Sequence, residues 1–495
     1  MKRLFLIILV VLGAASFLLK LTEPDRGSDV PVLYWITQDD PTKRETIQLF
    51  KEWRSERGLP PVEMKIDNVN QDPTKKLVHG LAGVGADIFD IYTHETGLFA
   101  SSGMLLDVTE QAKAQGFSPA ATFPALRGDL VYNGRQYGFP RNAGSAVCWI
   151  NKEAFALYGV PEPSYRWTWD EFEQLGTAFV KAANPPGSRE RSYFVQSISP
   201  AVLRRGLGLS IFNETMTACI LDDPRNAEVM RRLYRWYTEL HLIPTLAEQR
   251  AMTASSARAG DGLFYLFAQN RYAMLYLPRW AFIRLRPQGK LSLKVVEPFN
   301  SGFPNMDFST GVIGVYTDTK HPVEAVSFLE FLTSESFNRL IIRSGDSLPP
   351  VPKYVQTEEF LHPPDHPDEW HLQEVFAKAA PTLGISLCRS PFVLSGTIYR
   401  QVTGIESQVT DEVLAGRLSP EDAGRVEQER INDEIAQTIK KDAKLRARYD
   451  ELVIVQKKID QLREQGLPIP AKWITNPFHL TYYKAKGWLT EESAE

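Results

Sequence analysis

The sequence predicts an α/β fold of mainly parallel sheets, built as more than one domain and closed by a helical C-terminal extension. Three observations carry that prediction. Strand-like runs alternate with helix-like runs from residue 30 onward, the pattern of parallel strands covered by helices on both faces. The 495 residues exceed what one hydrophobic core organises and suit two or three domains. From Arg425 to Gln465 there is no Gly or Pro, and Leu445, Leu452 and Ile459 recur every seven residues with Val455 and Leu462 in the second seam position, as in a long helix or a short coiled coil.

In chain order, Met1-Lys2-Arg3 precedes sixteen apolar residues from Leu4 to Leu19, the plan of an export signal. The run is slightly short for a membrane span, so residues 1–29 are expected to be a cleaved signal peptide or an uncleaved N-terminal anchor. No Cys lies near its end, which closes the lipoprotein route. Val30–Trp35 reads as a first strand, and Asp40-Pro41 as the cap of a helix carrying Ile47, Leu49, Phe50 and Trp53. Val62–Ile66 is a second strand, Asp72-Pro73 starts a helix that ends at Gly83 and Gly85, and Ile88–Tyr92 is a third strand. Loops at the carboxyl ends of such strands form the ligand crevice of an open α/β sheet. That places Trp35, Gln38 and Asp39, then Thr93, His94 and Glu95, as crevice candidates, with a core position the alternative for Trp35.

The stretch from Gln136 to Phe172 reads as an exit from one domain and the start of another. Gly138 and Pro140 precede a buried strand, Ala146–Ile150. A short helix, Asn151–Tyr158, is stopped by Gly159, Pro161 and Pro163, and Thr168 with Glu171 stands in capping-box register for the next helix. Asp222-Asp223-Pro224 caps a helix whose Val229, Leu233, Trp236, Tyr237 and Leu240 lie at core spacing. Phe264–Gln269 and the strand Ala273–Leu277 flank Arg271-Tyr272, followed by Pro278, Arg279 and Trp280. Thr310–Tyr316 is a glycine-bearing strand without the Gly-Lys-Ser/Thr of a phosphate loop, and Pro322–Leu332 is an amphipathic helix.

Several of these blocks, taken in order, resemble the extracellular solute-binding proteins of ABC transporters, in particular the sugar-binding family that includes the maltose-binding protein. They are Gly138–Pro140, Trp149-Ile150-Asn151-Lys152, the Gly159–Pro163 turn and Thr168–Phe172, joined by Leu81–Tyr92, Ala268–Trp280, Phe331–Pro352 and Leu414–Asn432. Trp149-Ile150 departs mildly from the family's aromatic pair. The resemblance spans roughly residues 30–432. It implies a two-lobed periplasmic-binding-protein fold with interleaved lobes: 30–140 with 301–348, and 141–300 with 349–432, leaving 433–495 as the helical extension. It also implies a carbohydrate held in the interlobe cleft by Trp35, Gln38, Asp39, His94, Glu95, Arg141, Asn142, Trp280 and Asp346, with Trp280 stacking on the sugar. The expected partners are the permease subunits of an ABC importer. The expected location is the periplasm, with anchoring to the inner membrane through residues 4–19 as one alternative.

A net charge of −4 leaves no basic surplus for tracking phosphates, so nucleic acid is excluded as a partner. Cys148, Cys219 and Cys388 are too few and too widely spaced for a disulfide scaffold. The His362, His366 and His371 stretch matches no standard zinc spacing, and no metal or cofactor is expected. Two other function classes stay open: a glycosidase using Asp39, Asp40 and Glu95 as its carboxylates, and an anchored sensor or scaffold whose aromatic C-terminal arm holds a partner. That arm, with Trp473, Phe478, Tyr482, Tyr483 and Trp488, either packs back on its own lobe or faces a partner.

Overall fold

The structure, a computed structural model, describes residues 30–83, 86–188, 190–254, 262–387, 389–393 and 404–490. The N-terminal segment 1–29 and Cys388 lie outside them. Among the described residues no helix is long and apolar enough to cross a membrane.

Two sheets organise the two lobes. In the first, the order is Glu63–Asp67, Val32–Ile36, Ile88–Tyr92, Gly311–Val315 and Phe139–Pro140. Four of these strands run one way, and only Gly311–Val315 is reversed, pairing antiparallel with Ile88–Tyr92 and with Phe139–Pro140. The second sheet orders Leu293–Val296, Val147–Asn151, Tyr272–Leu277 and Tyr193–Val195, and again one strand, Val147–Asn151, runs against the rest. In each lobe the reversed strand is the one that has just arrived from the other lobe. It enters at the edge where its neighbours end, so the carboxyl edges of the two sheets face each other across the junction. A third, smaller sheet of Gly384–Ser386, Met306–Ser309 and Gly144–Ser145 spans that junction, and Leu348 bridges to Ala143 beside it.

The local signals act as their chemistry requires. Asp40, with φ −136° and ψ 165°, accepts from the Lys43 N–H and starts the helix Pro41–Glu56. Asp72 caps Pro73–Leu81. Thr168 and Glu171 form the reciprocal capping box of Trp169–Ala183. Each sheet is covered by aromatic packing: Trp35, Phe50, Phe328 and Phe331 in the first lobe, and Phe172, Phe194, Trp236 and Phe299 in the second. Gly138 is fixed by space. A Cβ there would lie 2.3 Å from the Ile313 carbonyl oxygen and 2.6 Å from Val312 Cγ1. A backbone atom cannot yield as a side chain does, so Gly138→Ala is expected to lower the unfolding free energy by about 2 kcal/mol in chemical denaturation.

The C-terminal region corrects one expectation. The uninterrupted helix expected over Arg425–Gln465 is two helices, Pro420–Lys441 and Ala443–Glu464, broken at Asp442. Asp442 leaves the helical region (φ −133°, ψ 109°), and its carboxylate accepts from the N–H groups of Lys444 and Leu445, capping the second helix. The first of these helices runs through residue 433 and packs on Pro224–Tyr234 of the second lobe. The seven-residue pattern forms no coiled coil with its own neighbouring helix. Leu445 and Leu452 pack with Tyr449 onto the second-lobe core. Ile459 joins Ile469, Ile474 and Tyr483 in a small core of the arm itself. Phe478 and Tyr482 then lie edge-on to Phe303.

Candidate ligand crevice

The facing carboxyl edges meet at a polar junction. Asp90, the one acid in the strand Ile88–Tyr92, is its centre: its side chain forms an ion pair with Arg141 and accepts from Thr37 Oγ1 at 2.9 Å. The ammonium of Lys76 donates to the Asp90 backbone carbonyl at 2.5 Å. Arg141 begins the crossing to the second lobe, and its guanidinium lies over Gly311, where a Cβ would stand 3.0 Å from Nη2. Burial works against the charge of Arg141, but Asp90 and Asp346 outweigh it and hold its pKa above the ordinary value. Asn142 donates from Nδ2 to Asp346 at 3.0 Å, and Asp346 also accepts from the Ser347 N–H at 2.7 Å. Thr310, at the return crossing, donates to the Asn142 carbonyl and accepts through its own carbonyl from Thr93 at 3.1 Å.

Arg141, Asn142 and Asp346 are thus brought into one network. Trp280 stands on the second lobe, half-buried, its ring 6.1 Å from Phe264 and edge-on. It is tied to the junction through its neighbour: Arg279 is fully buried, donates to Gln373 at 2.8 Å, and reaches the backbone carbonyls of Asp346, Ser347 and Ile342. The other candidates are placed differently. Trp35 is 1% exposed and packs edge-on to Phe328 at 5.2 Å, in the core of the first lobe and away from the crevice. Gln38 and Asp39 are exposed at the end of the first strand, with Asp39 paired to Arg44 at 2.7 Å, a hydrogen bond that lowers its pKa. His94 lies in the short turn Thr93–Glu95. Glu95 is buried, and its Oε2 accepts from the Tyr92 N–H at 2.8 Å, which fixes that turn.

The carboxylates considered for glycoside cleavage therefore have other tasks: Asp39 holds Arg44, Asp40 caps a helix and Glu95 closes a turn. The pKa of Asp39 is lowered, the opposite of the shift a general acid needs. The three histidines have separate neighbours: His362 bonds Glu358 and meets Trp370, His366 approaches Glu369, and His371 bonds the Leu293 carbonyl. Among the described residues no group of three or more His, Cys, Asp or Glu is placed to hold a metal. Asp90, Thr37, Lys43, Lys76 and Arg279 are the junction residues that sequence reasoning missed. Asp90 alone carried a trace, as the one acid inside the apolar run Ile88–Tyr92.

The fold is shared with solved solute-binding proteins. An ABC substrate-binding protein of Listeria monocytogenes, solved with cycloalternan, superposes with a TM-score of 0.66 at 19% identity, covering 82% of this chain and 99% of that one. A solute-binding protein of Thermotoga lettingae bound to α-D-tagatose gives 0.65 at 18%, covering 82% and 100%. The sugar-binding protein MalE of Xanthomonas citri gives 0.64 at 14%, covering 82% and 98%. A sequence search of curated proteins found no match. The family profile described as bacterial extracellular solute-binding protein matches residues 67–338, more than half of the 495. That match takes in the third strand, the first crossing and the sheet of the second lobe, and on it the chain belongs to the bacterial extracellular solute-binding protein family.

Proposed function

We propose that this chain is the solute-binding component of an ABC importer, that it captures a carbohydrate between its lobes, and that it delivers the sugar to the permease without chemical turnover. The observation that carries the reading is the junction itself. Two sheets present their carboxyl edges to each other, the chain crosses between them at residues 140–147 and 296–311, and charged and amide side chains converge there with a half-buried indole on the second lobe. Hydroxyl-rich ligands need this mixture, because carboxylates, amides and guanidinium groups exchange hydrogen bonds with hydroxyls while an aromatic face covers the C–H surface. Binding across the junction favours the closed arrangement through contacts that only that arrangement completes. The names of the structural relatives, which are sugar-binding or carry bound saccharides, support the same ligand class. In this reading the first lobe comprises 30–140 with 301–348, and the second 141–300 with 349–432. The chain acts outside the cytoplasm, exported by way of residues 1–29.

Trp280 is the stacking residue and Arg279 holds it in place. Trp280→Ala is expected to weaken sugar binding at least tenfold in calorimetric titration, about 1.4 kcal/mol. Affinity within a factor of two of the parent would remove Trp280 from the site. A purified protein whose melting temperature answers to no saccharide, while amino acids or peptides raise it, would overturn the ligand class.

A further inference from the structure

We propose that the sugar captured here is acidic, and that its carboxylate seats at the base of the crevice between Lys43 and Arg141; the inference rests on the carbohydrate reading above. Lys43 lies in the first turn of the helix Pro41–Glu56, six residues after Thr37, whose hydroxyl bonds Asp90, and is only 7% exposed. Among the described residues no hydrogen bond or ion pair reaches its ammonium, whose helix-cap bond is made by its backbone N–H alone. Its charged surroundings are Arg141, Asp90, Asp346 and Asp40, and burial, followed by the repulsion of Arg141, lowers its pKa. Asp90, Asp346 and Asp40 already have direct donors: Arg141 and Thr37 on Asp90, Asn142 and the Ser347 N–H on Asp346, and the Lys43 N–H on Asp40.

The incomplete groups are donors. Arg141 spends Nη1 on Asp90, and its buried Nε has no partner. A buried cation without a partner is unfavourable until an anion reaches it, and a charge-assisted bond made in a crevice from which water is expelled is stronger than one made in solvent. A neutral hydroxyl answers only the hydrogen-bonding need of Lys43 and Arg141. A carboxylate answers the charge as well, and its two oxygens can serve Lys43 and Arg141 together. Asp90 and Asp346, on either side, remain available to hydroxyls of the same ring.

The test is calorimetric titration of the full chain with matched saccharide pairs: glucuronate against glucose, galacturonate against galactose and mannuronate against mannose oligosaccharides, with glucose 6-phosphate as a further arm. At least one acidic member is expected to bind tenfold or more tightly than its neutral partner. Lys43→Met is expected to weaken that acidic saccharide at least tenfold, while the melting temperature of the ligand-free variant stays at or above that of the parent because an unpaired buried charge has been removed. Neutral saccharides binding as tightly as their acidic partners would overturn the acidic ligand and leave the importer reading standing. Binding of the sugar phosphate alone would overturn the carboxylate. No response to any saccharide would overturn both readings.

Discussion

Arg204→Met is expected to lower the unfolding free energy by about 3–5 kcal/mol, the cost of leaving a buried charge without its partner. Arg204 is fully buried in the second lobe. Its Nη1 and Nη2 donate to the two oxygens of Glu427, at 3.1 and 2.6 Å, and its Nε donates to Asn226 at 2.8 Å. Glu427 is 1% exposed and sits on the helix Pro420–Lys441, so this pair joins the C-terminal region to the lobe. Glu406 stands 3.4 Å from Nη1. Losing Arg204 strands two carboxylates, whereas Arg204→Met with Glu427→Met removes both partners and should recover most of the loss. Chemical denaturation followed by tryptophan fluorescence reads both. The cluster also sets a pH response. Burial, opposed by Arg204 and reinforced by Glu427, pushes Glu406 up to about 7. The folded state therefore holds this proton more tightly than the unfolded chain. The stability it contributes is complete below the unfolded carboxylate range and is lost as pH rises through 7. Glu406→Gln should flatten that part of the stability profile between about pH 4.5 and 7 relative to the parent.

Glu214→Ala is expected to cost about 3 kcal/mol and to free the C-terminal arm. The Glu214 carboxylate is buried in the second lobe, where it accepts from Tyr483 Oη at 2.5 Å, Arg463 at 2.8 Å and Gln456 at 2.7 Å. Its backbone carbonyl accepts from the N–H groups of Thr475 and Asn476. Asn476 donates in turn to Ser210 and to the carbonyls of Phe212 and Asn213. Alanine leaves the buried Tyr483 hydroxyl without its acceptor, a penalty of about 1–3 kcal/mol, and reduces the Gln456 amide to its 3.1 Å bond with Asp460, while Arg463, half-exposed, relaxes into water. Limited proteolysis should then cut within 443–490 at protease concentrations that leave the parent intact. An unchanged digestion pattern would mean that the small aromatic core around Ile459 and Tyr483 holds the arm by itself.

The secondary structure was legible where chemistry is local. Asp40, Asp72, Thr168 with Glu171, and Asp223 all cap the helices their spacing predicts. The strand Ile88–Tyr92 has the predicted ends. The break at Asp442 was written only in the capping preference of one aspartate, because Gly and Pro, the strong punctuators, are absent there. The crevice was harder to read, since its residues are assembled from separate segments spread from Thr37 to Asp346. Trp35 sits in a strand covered on both faces, where alternation does not tell which side chains face helices and which face the crevice. Lys43 lies in Pro-Thr-Lys-Arg-Glu, a solvent-like helix start by composition, yet it is buried, with the charges of Arg141, Asp90 and Asp346 around it. Arg141, Asn142 and Asp346, named through the resemblance, do lie together at the junction, because they stand where the chain passes between the lobes.

The reversed strand Gly311–Val315 also sets the order in which the molecule can fold. It pairs with Ile88–Tyr92 and Phe139–Pro140, so the first sheet waits for a segment made more than 200 residues after its third strand. Contacts of such sequence separation are slow to form, because loop closure must precede the reward of pairing. The leading half of a nascent chain thus has no finished sheet to fold into until the second lobe has been synthesised. In the exported role proposed above, this delay would lengthen the interval in which the polypeptide remains unfolded and able to cross a membrane as an extended chain.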